Sequence, residues 1–329
     1  MRDNPITATV DFDADGVQHG FLKLPHSRDT SGWGTLMIPI TVVRYGDGPT
    51  ALLTGANHGD EYEGPVALMS LAQNIALHEV SGRIIMIPMM NYPAFMAGKR
   101  TSPIDGGNMN RVFPGAPDGT ITQKIADYFQ RTLLPLADVV LDFHSGGKTL
   151  DFVPFAAAHV LGDSGQQARC IAAMQAFNAP YSMILKEIDS VGMYDTAAED
   201  MGKVFISTEL GGGGCVTART VEIANRGVAN FLKHSGILAG DPDTRPTIQV
   251  DTTGEGCFMT SESSGLFEIC IDLGEPVHEG DVVARVHDIY RTGGTPDEYR
   301  AQTSGILAGR HFPGLVEMGD FLGVIGAIE

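Results

Sequence analysis

Thr50-Ala51-Leu52-Leu53-Thr54-Gly55-Ala56-Asn57-His58-Gly59-Asp60-Glu61 is the stretch on which the fold turns. A short apolar run that stops in small and polar residues reads as a buried strand carrying side chains to its carboxyl end. The pattern recurs: residues 83–90 form a second apolar run, and Asp138-Val139-Val140-Leu141-Asp142-Phe143-His144 and Lys203-Val204-Phe205-Ile206-Ser207-Thr208-Glu209 each end polar. Helix-like stretches lie between, over residues 64–76, 122–136, 163–177 and 216–234, with Thr120 or Thr122 as the cap of the second. Strands alternating with helices of this length predict an α/β chain, a mixed sheet with helices on both faces. Ligands of such sheets bind beyond the carboxyl ends of the strands, and three of these ends carry His58, His144 and Glu209. The first 50 residues read as β structure with turns, including a strand over 36–44.

The composition shifts at Gly240-Asp241-Pro242-Asp243-Thr244-Arg245-Pro246, a linker signal. It divides the chain into a catalytic α/β domain, residues 1–243, and a smaller C-terminal β domain, residues 244–329. Within the latter, Ser264-Gly265-Leu266-Phe267 and the later Val277-His278-Glu279-Gly280-Asp281 recur as Ser304-Gly305-Ile306-Leu307 and Val316-Glu317-Met318-Gly319-Asp320. This weak internal repeat is similar to the hairpins of biotinyl- and lipoyl-type half-barrels. Neither copy has the lysine that such carriers modify, which leaves a structural β-module as the reading.

The chain has 329 residues, with 22 Lys and Arg against 40 Asp and Glu, a formal charge of −18. That balance argues against a nucleic-acid face and against binding to anionic membranes. No apolar run is long enough to span a bilayer, and Met1-Arg2-Asp3-Asn4-Pro5 lacks an apolar signal core, so a cytoplasmic protein is expected. Cys170, Cys215, Cys257 and Cys270 lie far apart and offer no Cys-rich zinc site. Glycine is abundant, 41 residues, and it clusters near the strand ends and in the C-terminal turns.

His58 and Glu61, three residues apart at a turn, can reach one metal ion. His144 at another strand end would complete two imidazoles and a carboxylate, leaving a fourth position open for water, as catalytic zinc requires. Asp142 stands where it could orient an imidazole. Glu209 is the candidate carboxylate for moving the proton of the attacking water to the leaving nitrogen. Arginines are few, so Arg100 and the pair Asn110-Arg111 stand out as donors for an oxyanion and a substrate carboxylate.

In order, Gly55-x-x-His58-Gly59-Asp60-Glu61, Asn110-Arg111-x-Phe113-Pro114-Gly115, Asp142-x-His144 and Thr208-Glu209-x-Gly211 resemble the motifs of the succinylglutamate desuccinylase/aspartoacylase family, a branch of the zinc-carboxypeptidase fold. The resemblance spans residues 50–235 and suits the C-terminal β-module too. It implies one zinc ion on His58, Glu61 and His144, Glu209 as catalytic base and acid, Arg100 polarising the carbonyl, and Asn110 with Arg111 holding the substrate α-carboxylate. Residues 11–20 and 57–65 look most like the ectoine-degradation deacetylases, which act on Nα-acetyl-L-2,4-diaminobutyrate. That substrate is a small acylated amino acid with a free ammonium. Asp60, Glu63, Asp189, Asp195 and Glu199 are all open as the ammonium's partner. The alternatives are a related desuccinylase-type amidohydrolase or carboxypeptidase with another substrate, and a catalytically inactive metal-binding regulatory protein. A homodimer is left open as the assembly.

Overall fold

The computed structural model describes residues 2–186 and 190–328. Its architecture is mixed α/β, with a large mixed sheet of 15 strands and a separate four-stranded antiparallel sheet among the described residues. Three parallel neighbours, Thr50–Gly55, Val139–Phe143 and Val204–Glu209, form the centre of the large sheet. Their register sets Thr54 and Ser207 opposite Asp142 on either side, so the three carboxyl ends are level. Gly82–Ile87 pairs parallel with Thr50–Gly55, and the long hairpin of Gly16–Pro25 and Thr35–Tyr45 continues the sheet antiparallel.

Alternation along the strands builds two cores. Leu52, Ile85, Val140 and Phe205 point into one, with Ile125, Phe129 and Leu133. Leu53, Met86, Leu141 and Ile206 point into the other, with Leu68, Phe177, Ile223 and Phe231. Helices therefore cover both faces, and the strands read as continuous apolar runs because neither face meets water. Each fully buried aliphatic or aromatic side chain contributes roughly 1.5–3 kcal/mol.

The helix signals are visible in the caps. Asp163 accepts the amides of Gly165 and Gln166 ahead of Ser164–Phe177, and Thr217 and Thr220 bond reciprocally at the start of Ala218–His234. The stretch expected as one helix over 122–136 is different. Ile121–Tyr128 is α-helical, with Thr120 and Gln123 as its capping box, Phe129–Leu133 is a π turn, and Leu134–Leu136 resumes. A single wide turn barely perturbs the apolar period, so the sequence hides it. The strand Phe155–His159 was hidden for another reason: three of its five residues are alanine, a poor strand former.

Beyond residue 243 the large sheet runs on. Ile248–Asp251 pairs parallel with Tyr181–Leu185, and Gly305–His311 pairs with Leu150–Phe152, just after His144. The two copies of the repeat complete each other. Gly280 and Gly319 both turn with positive φ, 92° and 96°. The Asp281 carboxylate accepts the amide of His278 and that of Asp320 the amide of Glu317, each at 2.8 Å. The Ser304 hydroxyl holds the first turn through Glu279 N, and the Ser264 hydroxyl holds the second through Met318 N, each at 2.9 Å. The short strands are exchanged as well: Pro276–Val277 pairs with Gly305–His311, and Leu315–Val316 with Gly265–Ile269.

Candidate metal centre and active site

The chain leaves Thr50–Gly55 through Ala56, a residue with a Cβ in the left-handed region at φ 50°. Such a conformation costs on the order of 1–2 kcal/mol, and here it is held from both sides. Met90 N donates to Gly55 O at 2.9 Å and Asn91 N to Ala56 O at 3.1 Å. Next, Gly59 lies so close to the helix Tyr92–Ala97 that a Cβ would sit 2.0 Å from the carbonyl carbon of Ala94. Only glycine lets this loop dock there.

The loop delivers His58 and Glu61 beneath the end of Val139–Phe143, where His144 follows. Glu61 Oε1 lies 2.8 Å from His58 Nδ1, and Glu61 Oε2 lies 3.0 Å from His144 Nδ1. All three residues are buried, and their candidate ligand atoms lie within 4.8 Å of one another. The far side of each ring is engaged. His144 Nε2 meets Asp142 Oδ2 at 2.8 Å, and His58 Nε2 meets Asn108 Oδ1 at 3.2 Å. With Nε2–H donating outward, each Nδ1 is the atom that would offer its lone pair to a metal ion, the tautomer a ligand needs. The donor set therefore fits a divalent cation of borderline softness.

Asp142 is itself fixed, accepting from Thr54 Oγ1 at 2.6 Å and Asn57 Nδ2 at 3.0 Å. The electrostatics follow from these contacts. Burial would raise the Glu61 carboxyl, but the two imidazoles outweigh it and hold it down at about 2. Burial would lower His144, but Asp142 and Glu61 raise it well above the usual imidazole value. His58 stays below that value because burial dominates its single carboxylate partner.

Glu209 closes its strand at the same crest. Its Oε2 is buried without a hydrogen-bond partner among the described residues. Burial, then the nearby negative charge of Glu61, pushes its carboxyl up to about 8. Arg100 reaches the cluster from the loop after Tyr92–Ala97, with its guanidinium 3.4 Å from His58 Nδ1 and 3.9 Å from Glu61 Oε1. Half of its side chain is exposed, which leaves the guanidinium accessible.

Asn110 is buried, and its Oδ1 accepts the amide of Tyr194 at 2.9 Å. Arg111 is exposed and donates to Asn110 O at 2.6 Å. No hydrogen bond or ion pair among the described residues joins either side chain to the His58–Glu61–His144 cluster. The orienting residue that the sequence did not single out is Asn108, whose Oδ1 also accepts the amide of Asn110. The closely spaced asparagines were the available signal. Of the candidate ammonium partners, Glu199 is paired with His159 at 2.8 Å, and Asp60 accepts the amide of Lys148 at 2.9 Å. Asp195 accepts the amide and hydroxyl of Thr196. Glu63 accepts the Thr220 hydroxyl at 3.2 Å, and burial raises its carboxyl to about 7. Asp189 lies outside the described residues.

Residues 47–235 match the model of the succinylglutamate desuccinylase/aspartoacylase catalytic domain. The chain is 56% identical to the N-alpha-acetyl-L-2,4-diaminobutyric acid deacetylase of Halomonas elongata, an alignment that covers all of this chain and 96% of the relative. Among solved structures it is similar to the product-bound ectoine utilization protein EutE (DoeB) of Ruegeria pomeroyi. The identity is 62% and the TM-score 0.97, over 99% of this chain and 100% of that one. A succinylglutamate desuccinylase from Silicibacter matches at 64% identity and a TM-score of 0.98, over the whole of both chains. By motif order, site geometry and full-length similarity, the chain belongs to the succinylglutamate desuccinylase/aspartoacylase family.

Proposed function

We propose that the protein hydrolyses the amide of a small Nα-acyl amino acid, removing acetate from Nα-acetyl-L-2,4-diaminobutyrate in ectoine degradation. One observation carries the reading: a His58–Glu61–His144 donor set with inward-facing Nδ1 atoms shares a strand crest with Glu209, whose Oε2 is buried without a partner among the described residues. The full-length likeness to a deacetylase acting on that substrate narrows it to the acetyl compound.

A zinc ion on His58, Glu61 and His144 would polarise the scissile carbonyl and acidify the attacking water. Glu209 takes the proton of that water and passes it to the leaving nitrogen. Its raised proton affinity suits both transfers. Arg100, beside the cluster and accessible, stabilises the negative charge that develops on the carbonyl oxygen. Asn110 has Oδ1 engaged by Tyr194, so Nδ2 is the group left to donate to the substrate α-carboxylate, beside the Arg111 guanidinium. Water adds to the carbonyl carbon, the C–N bond breaks, and acetate and L-2,4-diaminobutyrate leave.

The finer architectural reading belongs to the same proposal: a zinc-carboxypeptidase-like domain over residues 1–243 and a barrel-sandwich β-module over 244–329. Among the described residues no helix is long and apolar enough to cross a membrane, which suits a cytoplasmic enzyme. A homodimer is proposed as the assembly, since two-fold dimers are the commonest closed form of soluble homo-oligomers.

The test is zinc-loaded protein offered Nα-acetyl-L-2,4-diaminobutyrate, N-acetylaspartate and N-succinylglutamate, with the free acid measured. Acetate from the first and little acid from the others is expected. Preferential release of succinate would move the chain to the desuccinylase reading, which the Silicibacter likeness keeps in view.

A further inference from the structure

Lys148 stands four residues after His144, in the loop that leaves the central strand Val139–Phe143. It meets three other loops of the site. Its amide donates to Asp60 Oδ2 at 2.9 Å, in the loop that carries His58 and Glu61. Its stem crosses the loop after Glu209, where a Cβ on Gly214 would sit 2.6 Å from Lys148 Cγ. Its ammonium donates to Gly98 O, two residues ahead of Arg100. Gly98 closes the helix Tyr92–Ala97 at φ 55°, with its own amide on Phe95 O at 3.0 Å and that of Lys99 on Ala94 O at 3.1 Å. Lys99 O in turn accepts the amide of Gly59 at 3.0 Å.

In a chain with 40 Asp and Glu, an exposed lysine has many carboxylates within its choice. Among the described residues this one makes no ion pair. Its ammonium goes to a main-chain carbonyl at a helix end, where the helix supplies no donor of its own. The helix has no basic residue in its last turn either. A cation from another loop therefore holds the turn from which Arg100 reaches His58 Nδ1 at 3.4 Å and Glu61 Oε1 at 3.9 Å. We propose that Lys148 is a positioning residue: by holding Gly98 O, its ammonium sets the place of the Arg100 guanidinium relative to the metal ligands. The task of Arg100 at the scissile carbonyl rests on the proposed function. The tether does not.

Lys148→Met keeps the stem over Gly214 and the amide on Asp60, and removes the ammonium alone. Amide hydrogen exchange of residues 98–101, read by mass spectrometry on the metal-loaded protein, should quicken about three- to tenfold, the size of one partly exposed hydrogen bond. The Zn2+ dissociation constant, read by competition with a chromogenic chelator, should be unchanged. With the acetylated substrate, kcat should fall by a similar factor and KM should stay as it is. In an Arg100→Ala background Lys148→Met should lower kcat no further, because the ammonium acts through that guanidinium. Lys148→Arg keeps a cationic donor in reach of Gly98 O and should restore both the slow exchange and kcat. Wild-type exchange at residues 98–101 in Lys148→Met, weaker Zn2+ binding, or an equal loss of kcat with and without Arg100 would overturn the tether. If the wild type releases no acetate, the functional reading fails, and the exchange rates still decide the tether by themselves.

Discussion

At the crest of the large sheet, the Asp142 carboxylate accepts from Thr54, Asn57 and His144, all of them buried. In the C-terminal repeat, Asp281 and Asp320 accept the amides of His278 and Glu317 at the surface. Both arrangements use a carboxylate to hold its surroundings. In the repeat each aspartate is satisfied by an amide three residues away, and the second copy repeats the first. At the crest two of the partners come from another strand and the loop that follows it, 88 and 85 positions distant, and the result is an oriented imidazole. A local aspartate makes a turn, and a convergent one sets up chemistry. Substitutions at the crest should therefore appear in metal binding and turnover, and those in the repeat in stability alone.

The sharpest break is Glu209→Gln. It keeps the shape and removes the proton carrier, so kcat should fall by about a thousandfold or more while metal content per chain stays at the wild-type level. Loss of metal in that variant would move Glu209 into the ligand set. A smaller effect is expected from Asp142→Ala, which frees His144 to rotate: metal affinity should weaken about ten- to a hundredfold, as measured by chelator competition. An unchanged affinity would make the Asp142 contacts ornamental.

On the other side of the comparison, Gly319→Ala puts a Cβ at φ 96° in open space, so only backbone strain opposes it. A destabilisation of about 1–2 kcal/mol in urea unfolding is expected, with turnover per folded molecule unchanged. A loss of turnover beyond the loss of folded protein would mean that the repeat reaches the site energetically.

The smallest effect is one of pH on the metal-free chain. Glu209 is raised from the usual carboxyl value of 4.5 to about 8. The folded state thus binds more protons than the unfolded one across that interval, and its stability falls as pH rises through it. The stability gap between wild type and Glu209→Gln should shift against the wild type from pH 5 to pH 8, read as the difference in melting temperature. A gap independent of pH would place the Glu209 carboxyl in a more hydrated setting.

How much of this was legible in the sequence depends on the range of the contact. His58 and Glu61 announce themselves by spacing, and the three central strands by apolar runs that stop at His58, His144 and Glu209. The turns at Gly280 and Gly319 are legible for the same reason, since the Gly-Asp pair is local. Asn108 and Tyr194 were not singled out. The bond between Tyr194 N and Asn110 Oδ1 joins residues 84 positions apart, and nothing in either neighbourhood records it. The strand Phe155–His159 was lost because tertiary packing places three alanines there against their propensity.

In the proposed function the crest of three parallel strands acts as one metal-dependent hydrolytic site. The most direct measurement is acetate release from Nα-acetyl-L-2,4-diaminobutyrate by a single preparation, before chelation, after it, and after Zn2+ is restored. Release that vanishes with the metal and returns with it, and that is absent from His58→Ala and His144→Ala throughout, is the predicted result. Acetate release that continues at an undiminished rate in the stripped protein or in either variant would contradict it.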